Sequence, residues 1–240
     1  MKNKIIILGD SYTFGQGCAD RERYYDHDSR KWVGETNLFA LGPSEHCWAN
    51  LAQQDFVNYE FQNLSRPGNS NDNMFRTLVS KIDTNCELVI LASSFNDRML
   101  VKDHLSDECF PWSVNGWWEI DSVQPKNYSE AKAQFSKHLY TEKMGQNYAI
   151  MGIAAAWAMA VLNQSQFVWS CPNFGDTVSV LPTSMTHLNN LQYTSLNTYQ
   201  FDKLNVDHNS ALANDGHANE LGQKLYYEAE IKPMLQKLLK

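Results

Sequence analysis

The chain has 240 residues, 43% hydrophobic and 12% aromatic, which is enough apolar material for one sizeable core and the right length for a single α/β domain over residues 1–240. A formal net charge of −7, with no lysine or arginine block, argues against a nucleic-acid or anionic-membrane partner and for a neutral small molecule. Five cysteines, Cys18, Cys47, Cys86, Cys109 and Cys171, form no CxxC pair, and their odd number speaks for reduced thiols rather than a disulfide framework.

The first predicted element is a strand, Lys4–Leu8, whose run Ile5-Ile6-Ile7-Leu8 is β-branched and lacks alternation, the pattern of a parallel strand covered on both faces. Its four strongly apolar residues are too few for a signal peptide. After a long polar stretch the pattern predicts a helix near residues 47–54 and a second strand near 59–64. A helix over 71–82 and a third strand over 87–92, again a continuous apolar run, come next. A long helical region is expected over 129–163, broken near Gly145 or Gly152. Within it, the fourteen-residue apolar stretch 149–162 falls short of a bilayer span and is expected to be a buried helix. A fourth strand, Gln166–Ser170, is stopped by Pro172, and apolar spacing predicts a final helix over 220–239. Strands alternating with helices imply a three-layer α/β sandwich: a central parallel sheet of flavodoxin-like strand order 2-1-3-4-5 with helices on both faces. Insertions are expected near 18–46, 100–127 and 173–208. The resulting expectation is a cytoplasmic protein.

The ends of these strands carry the chemistry. Strand one runs into Gly9-Asp10-Ser11, strand two into Ser65-Arg66-Pro67-Gly68-Asn69-Ser70, and strand three into Ser93-Ser94-Phe95-Asn96-Asp97. In the order 2-1-3-4 these turns share one rim and converge at the switch point, where open α/β sheets bind their ligands. Ser11 and Gly68 offer backbone N–H groups and Asn96 a side-chain amide, three donors suited to an oxyanion hole around the Ser11 hydroxyl. The missing base stands near the other end of the chain, in "NDGHANELGQ", where Asp215 precedes His217 by two residues. A serine hydroxyl becomes a competent nucleophile when a neutral imidazole takes its proton and a carboxylate orients that imidazole.

These four stretches resemble the blocks of the SGNH (GDSL-type) hydrolase family. "GDSYTFGQG" is similar to the first block with its nucleophilic serine, Ser11; "NLSRPGNS" to the second, whose glycine maps to Gly68; "SSFND" to the third, whose asparagine maps to Asn96; "NDGHANELG" to the last, with Asp215 and His217. The resemblance implies an esterase that works through an acyl-serine, a short-chain acyl esterase or carbohydrate deacetylase, with no cofactor. Two departures stand out. Ser94 replaces the glycine of the third block, and the acid lies one residue nearer the histidine than the family's usual Asp-x-x-His, a position held here by Asn214.

Other readings weigh against it. A non-catalytic carbohydrate- or partner-binding protein could retain the same fold, though intact Ser11, Asn96 and His217 count against that. A phosphate cradle over residues 9–17 is weaker still, because the stretch lacks a P-loop lysine and does not match G-x-G-x-x-G. "DHD" at residues 26–28 and "VDH" at 206–208 lack a recognised ligand spacing, so no metal is expected. Asp10 and the tryptophans Trp112, Trp117 and Trp118 stand as candidate substrate contacts, the tryptophans equally readable as a satellite core under a long loop.

Overall fold

The computed structural model describes residues 3–21, 23–26, 31–34, 41–95, 98–102, 109–113, 134, 137–172, 187–188 and 190–239. In chain order the described strands are β1 (Lys4–Leu8), β2 (Arg23–Asp26), β3 (Lys31–Gly34), β4 (Glu60–Asn63), β5 (Cys86–Ala92), β6 (Arg98–Lys102), β7 (Cys109–Ser113) and β8 (Gln166–Ser170). The helices are α1 (Ser11–Phe14), α2 (Trp48–Asp55), α3 (Asn71–Lys81), α4 (Glu142–Leu162), α5 (Glu220–Tyr226) and α6 (Lys232–Leu238).

Four strands form the central parallel sheet in the order β4-β1-β5-β8, the 2-1-3-4 arrangement anticipated from the apolar runs. Where a fifth strand was expected beside β8, the described chain makes a single parallel bridge, Trp169 to Gln192. The absence of alternation in β1 has a direct consequence here. Ile5 and Ile7 face one core and Ile6 and Leu8 the other, and all four are fully buried. On the first face Leu88, Ile90 and Val168 join them under Trp48 and Ala52 of α2 and Tyr226, Ile231 and Leu235 of the carboxyl-terminal helices. On the second, Val89, Leu91, Phe167 and Trp169 pack against Met74 and Leu78 of α3 and Ile153, Ala156 and Ala160 of α4.

The helix ends follow local chemistry. Ser70 caps α3 by accepting the Asn73 N–H, with Asp72 in the first turn and Lys81 in the last, each on the side the helix dipole favours. Thr141 caps α4 through the Met144 N–H, so α4 itself begins at Glu142; residues 134 and 137–138 before it are also helical, and residues 129–133 of the expected helical region lie outside the described residues. α4 runs unbroken through Gly145 and Gly152. A Cβ at Gly152 would stand 3.2 Å from Asn71 Cβ, so the glycine there serves close approach of α3 and α4 rather than a break.

Among the described residues α4 is the one helix long and apolar enough to cross a bilayer. It is buried along one side only, with Met151 and Leu162 exposed on the other. The carboxyl-terminal helix is interrupted by a π turn at Tyr227–Ile231. Pro233, which follows it, has no N–H to return to the preceding turn.

Two antiparallel ribbons, β2 with β3 and β6 with β7, occupy parts of the expected insertions; sequence periodicity did not reveal them. Cys18, Cys47, Cys86 and Cys171 are buried free thiols.

The two-sided core sets an expectation for α3. Leu78, fully buried, and Val79, 48% exposed, are sequence neighbours on different faces of the helix. Urea unfolding should show Leu78→Ala losing about 2–5 kcal/mol and Val79→Ala staying within about 0.5 kcal/mol of wild type. Similar losses for both would contradict the packing described.

Candidate active site

The turn after β1 is closed by sterics and by a cap. A Cβ on Gly9 would meet Thr13 Oγ1 at 2.5 Å, so glycine is required at this approach. Asp10 caps α1, accepting the Tyr12 N–H at 3.1 Å. Gly15 ends the helix at φ +83°, its N–H returning to the Ser11 and Tyr12 carbonyls. Ser11 therefore sits in the first turn of a very short helix at the carboxyl end of a central strand, 4% exposed.

His217 is brought to it from 206 positions along the chain, its Nε2 lying 2.7 Å from Ser11 Oγ. The loop that carries it is tight: the Ala213 N–H donates to the His217 carbonyl at 2.8 Å and the Asn219 N–H to that of Ala211 at 3.0 Å. Asp215 and Gly216 form the tip, Gly216 at φ +81°. That tip turns the Asp215 side chain back onto the histidine. Oδ1 accepts the His217 backbone N–H at 3.0 Å, and Oδ2 lies 2.9 Å from His217 Nδ1. The ring N–H is not aimed along this contact, so Nδ1 makes a close contact rather than a well-directed hydrogen bond. If Nε2 accepts from the serine, the proton of a neutral imidazole stands on Nδ1, beside the carboxylate.

Burial pushes the Asp215 carboxyl upward, but hydrogen bonds and charge from His217, with a further bond from Gln16, outweigh it and hold the pKa below the ordinary 3.8. The depressed value means that the ionised carboxylate contributes stability that is full above the unfolded-state pKa and is lost as the pH falls through the lower folded-state value.

Tyr12 completes this side, its ring centroid 4.5 Å from that of His217 at an interplanar angle of 40°. Burial first, then the charges of Asp10 and Asp215, push its phenol up to about 12, so it stays neutral near pH 7.

The neighbouring rim turns are tied to the Ser11 turn. The Gly9 carbonyl accepts from the Arg66 N–H at 3.2 Å and from Asn69 Nδ2 at 3.0 Å, which fixes the Gly68 turn beside Ser11. Gly68 adopts φ +69°, and nothing lies within 4 Å of the position its Cβ would take. Asn71 exchanges two hydrogen bonds with the Ser94 backbone. The Ser94 hydroxyl contacts Asp10 Oδ2 at 3.2 Å and accepts from Arg98 Nη1 at 2.8 Å. Asp10, expected among the substrate contacts, is 4% exposed and faces inward, with Arg98 Nη1 3.3 Å from its Oδ2.

Of the remaining expected site residues, Asn96, Trp117 and Trp118 lie outside the described residues, and Trp112 falls on the backbone of β7. Asp207 caps its own 3-10 turn by accepting the Asn209 N–H. Sequence reasoning missed Arg98 and Gln16. The first had a signal: an acid in a buried turn requires a cationic partner, and Arg98 closely follows the third rim turn.

No family model matches the chain, and no curated protein sequence matches it. Solved structures do. A carbohydrate esterase whose active site displays divergent catalytic and non-catalytic binding functions superposes at TM-score 0.56 and 11% identity over 99% of this chain, which spans 66% of that structure's length. Esterase EstA from Pseudoalteromonas sp., inhibited by monoethylphosphonate, gives TM-score 0.50 at 15% identity, covering 98% of this chain and 100% of its own. An acetyl-xylooligosaccharide esterase from Geobacillus gives TM-score 0.51 at 13% identity, with 99% and 94% covered. The chain has the fold of the SGNH (GDSL-type) hydrolases.

The Asp10–Arg98 pair makes a measurable demand. Arg98→Met leaves a buried carboxylate without its cation and should lower stability by about 3–5 kcal/mol in urea unfolding. Asp10→Asn keeps the acceptor for the Tyr12 N–H, so the double variant Asp10→Asn/Arg98→Met should recover part of that loss. A double variant no more stable than Arg98→Met alone would mean that the arginine acts through packing rather than through the charge.

Proposed function

We propose that the protein is a serine ester hydrolase that transfers an acyl group to water through an acyl-serine intermediate. The observation that carries this reading is the relay of contacts from Ser11 Oγ to His217 Nε2 at 2.7 Å and from His217 Nδ1 to Asp215 Oδ2 at 2.9 Å. A protein that used the fold only to bind a carbohydrate or a partner would have no need of a nucleophile, base and acid in this order.

In the first step His217 Nε2 takes the Ser11 proton as Oγ attacks the ester carbonyl, and the imidazolium is stabilised by the Asp215 carboxylate. The Ser11 and Gly68 N–H groups and the Asn96 amide are assigned to the developing oxyanion, where each donor typically contributes about 3 kcal/mol of barrier lowering. His217 then protonates the leaving alcohol, and water repeats the sequence on the acyl-serine. No step calls for a metal or an organic cofactor.

The substrate is assigned to the small-molecule or carbohydrate esters. The acidic chain, at net charge −7, favours uncharged substrates. The similar solved structures include a carbohydrate esterase and an acetyl-xylooligosaccharide esterase, which makes acetylated sugars the first substrates to test.

Ser11→Ala should abolish hydrolysis of short acyl esters and acetylated oligosaccharides with the fold intact. An active-site phosphonate should label wild type at Ser11 and leave Ser11→Ala unlabelled. Retained turnover in Ser11→Ala would overturn the assignment. Asn96→Ala should reduce kcat about a hundredfold or more with little change in KM, because its donor acts on charge present only in the transition state.

Asp215→Asn should lower turnover by up to about ten-thousandfold by favouring the wrong imidazole tautomer, with Asn214→Ala and Asp207→Asn near wild type. Near wild-type rate in Asp215→Asn would remove that residue from the mechanism.

A further inference from the structure

Asp215 has a second neighbour besides the histidine. Gln16 Nε2 donates to its Oδ2 at 3.2 Å, the same oxygen that lies 2.9 Å from His217 Nδ1. Gln16 belongs to the nucleophile turn, and its own backbone N–H donates to the Ser11 carbonyl at 3.0 Å. The contacts therefore close a ring: Ser11 to His217, His217 to Asp215, Asp215 to Gln16, and Gln16 back to Ser11.

The turn also presses on the histidine loop. A Cβ at Gly17 would meet the Ala218 carbonyl oxygen at 2.7 Å and His217 Cβ at 2.8 Å, and the Ala19 N–H donates to Glu220 Oε1 at 2.6 Å.

We propose that Gln16 is a positioning residue that holds the Asp215 carboxylate in register with His217. The need for it follows from the geometry of the loop. Asp215 stands only two residues from His217 and commits Oδ1 to the His217 backbone, so Oδ2 alone remains for the ring. The Nδ1–H is not well aimed at it, and that contact by itself fixes the carboxylate plane poorly. The Gln16 amide supplies a second fixed direction at Oδ2. It comes from the segment that carries the nucleophile, so acid and nucleophile keep a constant relation. Besides His217 on its own loop, the titratable side chain facing this carboxylate is Tyr12 of α1, which stays a neutral phenol.

The kinetic arm rests on the hydrolase reading; a second arm does not. Gln16→Met keeps the length and bulk of the side chain and removes the donor. It should lower kcat about tenfold to a hundredfold, the scale of a misplaced catalytic group, with KM unchanged. Gln16→Glu, which brings an anion against Oδ2, should lose more.

Independently of any substrate, carbon-13 NMR of the Asp215 carboxyl should show its titration midpoint moving to higher pH in Gln16→Met, since a donor that favours the ionised form is gone. A Gln16→Met protein with kcat within about twofold of wild type and an unmoved Asp215 midpoint would overturn the proposal. So would a loss of kcat with the midpoint unmoved, which would show a diffuse structural effect. If wild type neither hydrolyses esters nor reacts with the phosphonate, the hydrolase reading fails on its own and the carboxyl titration alone decides the role of Gln16.

Discussion

The Asp10 carboxylate is the constraint around which the site is organised. An ion taken out of water costs several kcal/mol unless it is paired and its remaining lone pairs are satisfied. Asp10, 4% exposed, satisfies one oxygen with the Tyr12 N–H and the other with Ser94 and Arg98. Those partners belong to three pieces of chain: the nucleophile turn, the turn after β5, and the first residue of β6. Displacing any one of them would leave a buried charge short of a partner. The same carboxylate that caps the helix bearing Ser11 thus fixes the third rim turn, from which Asn96 follows, at a set place beside it.

A second set of contacts does the equivalent task for the distant half of the site. Gln223 of α5 is fully buried. Its Oε1 accepts the Trp48 N–H at the start of α2, and its Nε2 donates to the Tyr12 carbonyl. Asn219 caps α5 and also donates to the Ser210 and Leu212 carbonyls, so the helix start and the loop before it move as one piece. Gly222 is required where α5 crosses the Ala211 carbonyl, because a Cβ there would lie 2.3 Å from that oxygen. His217 sits between Leu212 and Asn219, inside the loop that Asn219 ties down. Its loop is short and stapled at both ends, which is what allows a histidine in a turn to hold a 2.7 Å contact.

Much of this could be read from residue order, for reasons that differ by element. The sheet was legible because strands buried on both faces must be apolar without alternation, and β1, β5 and β8 obey that rule. That Ser11, Asp215 and His217 would meet was legible because small polar residues at strand ends and helix starts conflict with the apolar runs they interrupt. Apolar periodicity did not separate α4 from the helical residues before it, since the cap at Thr141 is a single hydrogen bond that periodicity does not register.

The two ribbons escaped because antiparallel pairs of four or five residues inside polar insertions give too short a pattern. The role of Ser94 escaped for another reason. Direction matters there: its hydroxyl turns toward Asp10 and Arg98, and direction is not a property of residue order. Gln16 had no signal at all, because a glutamine in a glycine-flanked turn reads as solvated until a partner from residue 215 arrives.

That last case shows how the site is coupled to folding. Ser11 and His217 are 206 residues apart, and closing so long a loop costs conformational entropy before any local contact returns it. The compensation is not local to the relay. It comes from the core shared by β1 with Tyr226, Ile231 and Leu235 and from the Gln223 contacts. The relay can therefore assemble only when the carboxyl-terminal helices have docked on the same face of the sheet as α2. Contacts between Gln16 and Asp215, and between Gly17 and the Ala218 backbone, then act over distances too short to help that docking and large enough to decide its final register. Burial brings the two halves of the site within a few ångströms; polar contacts between the turn and the loop resolve the remainder.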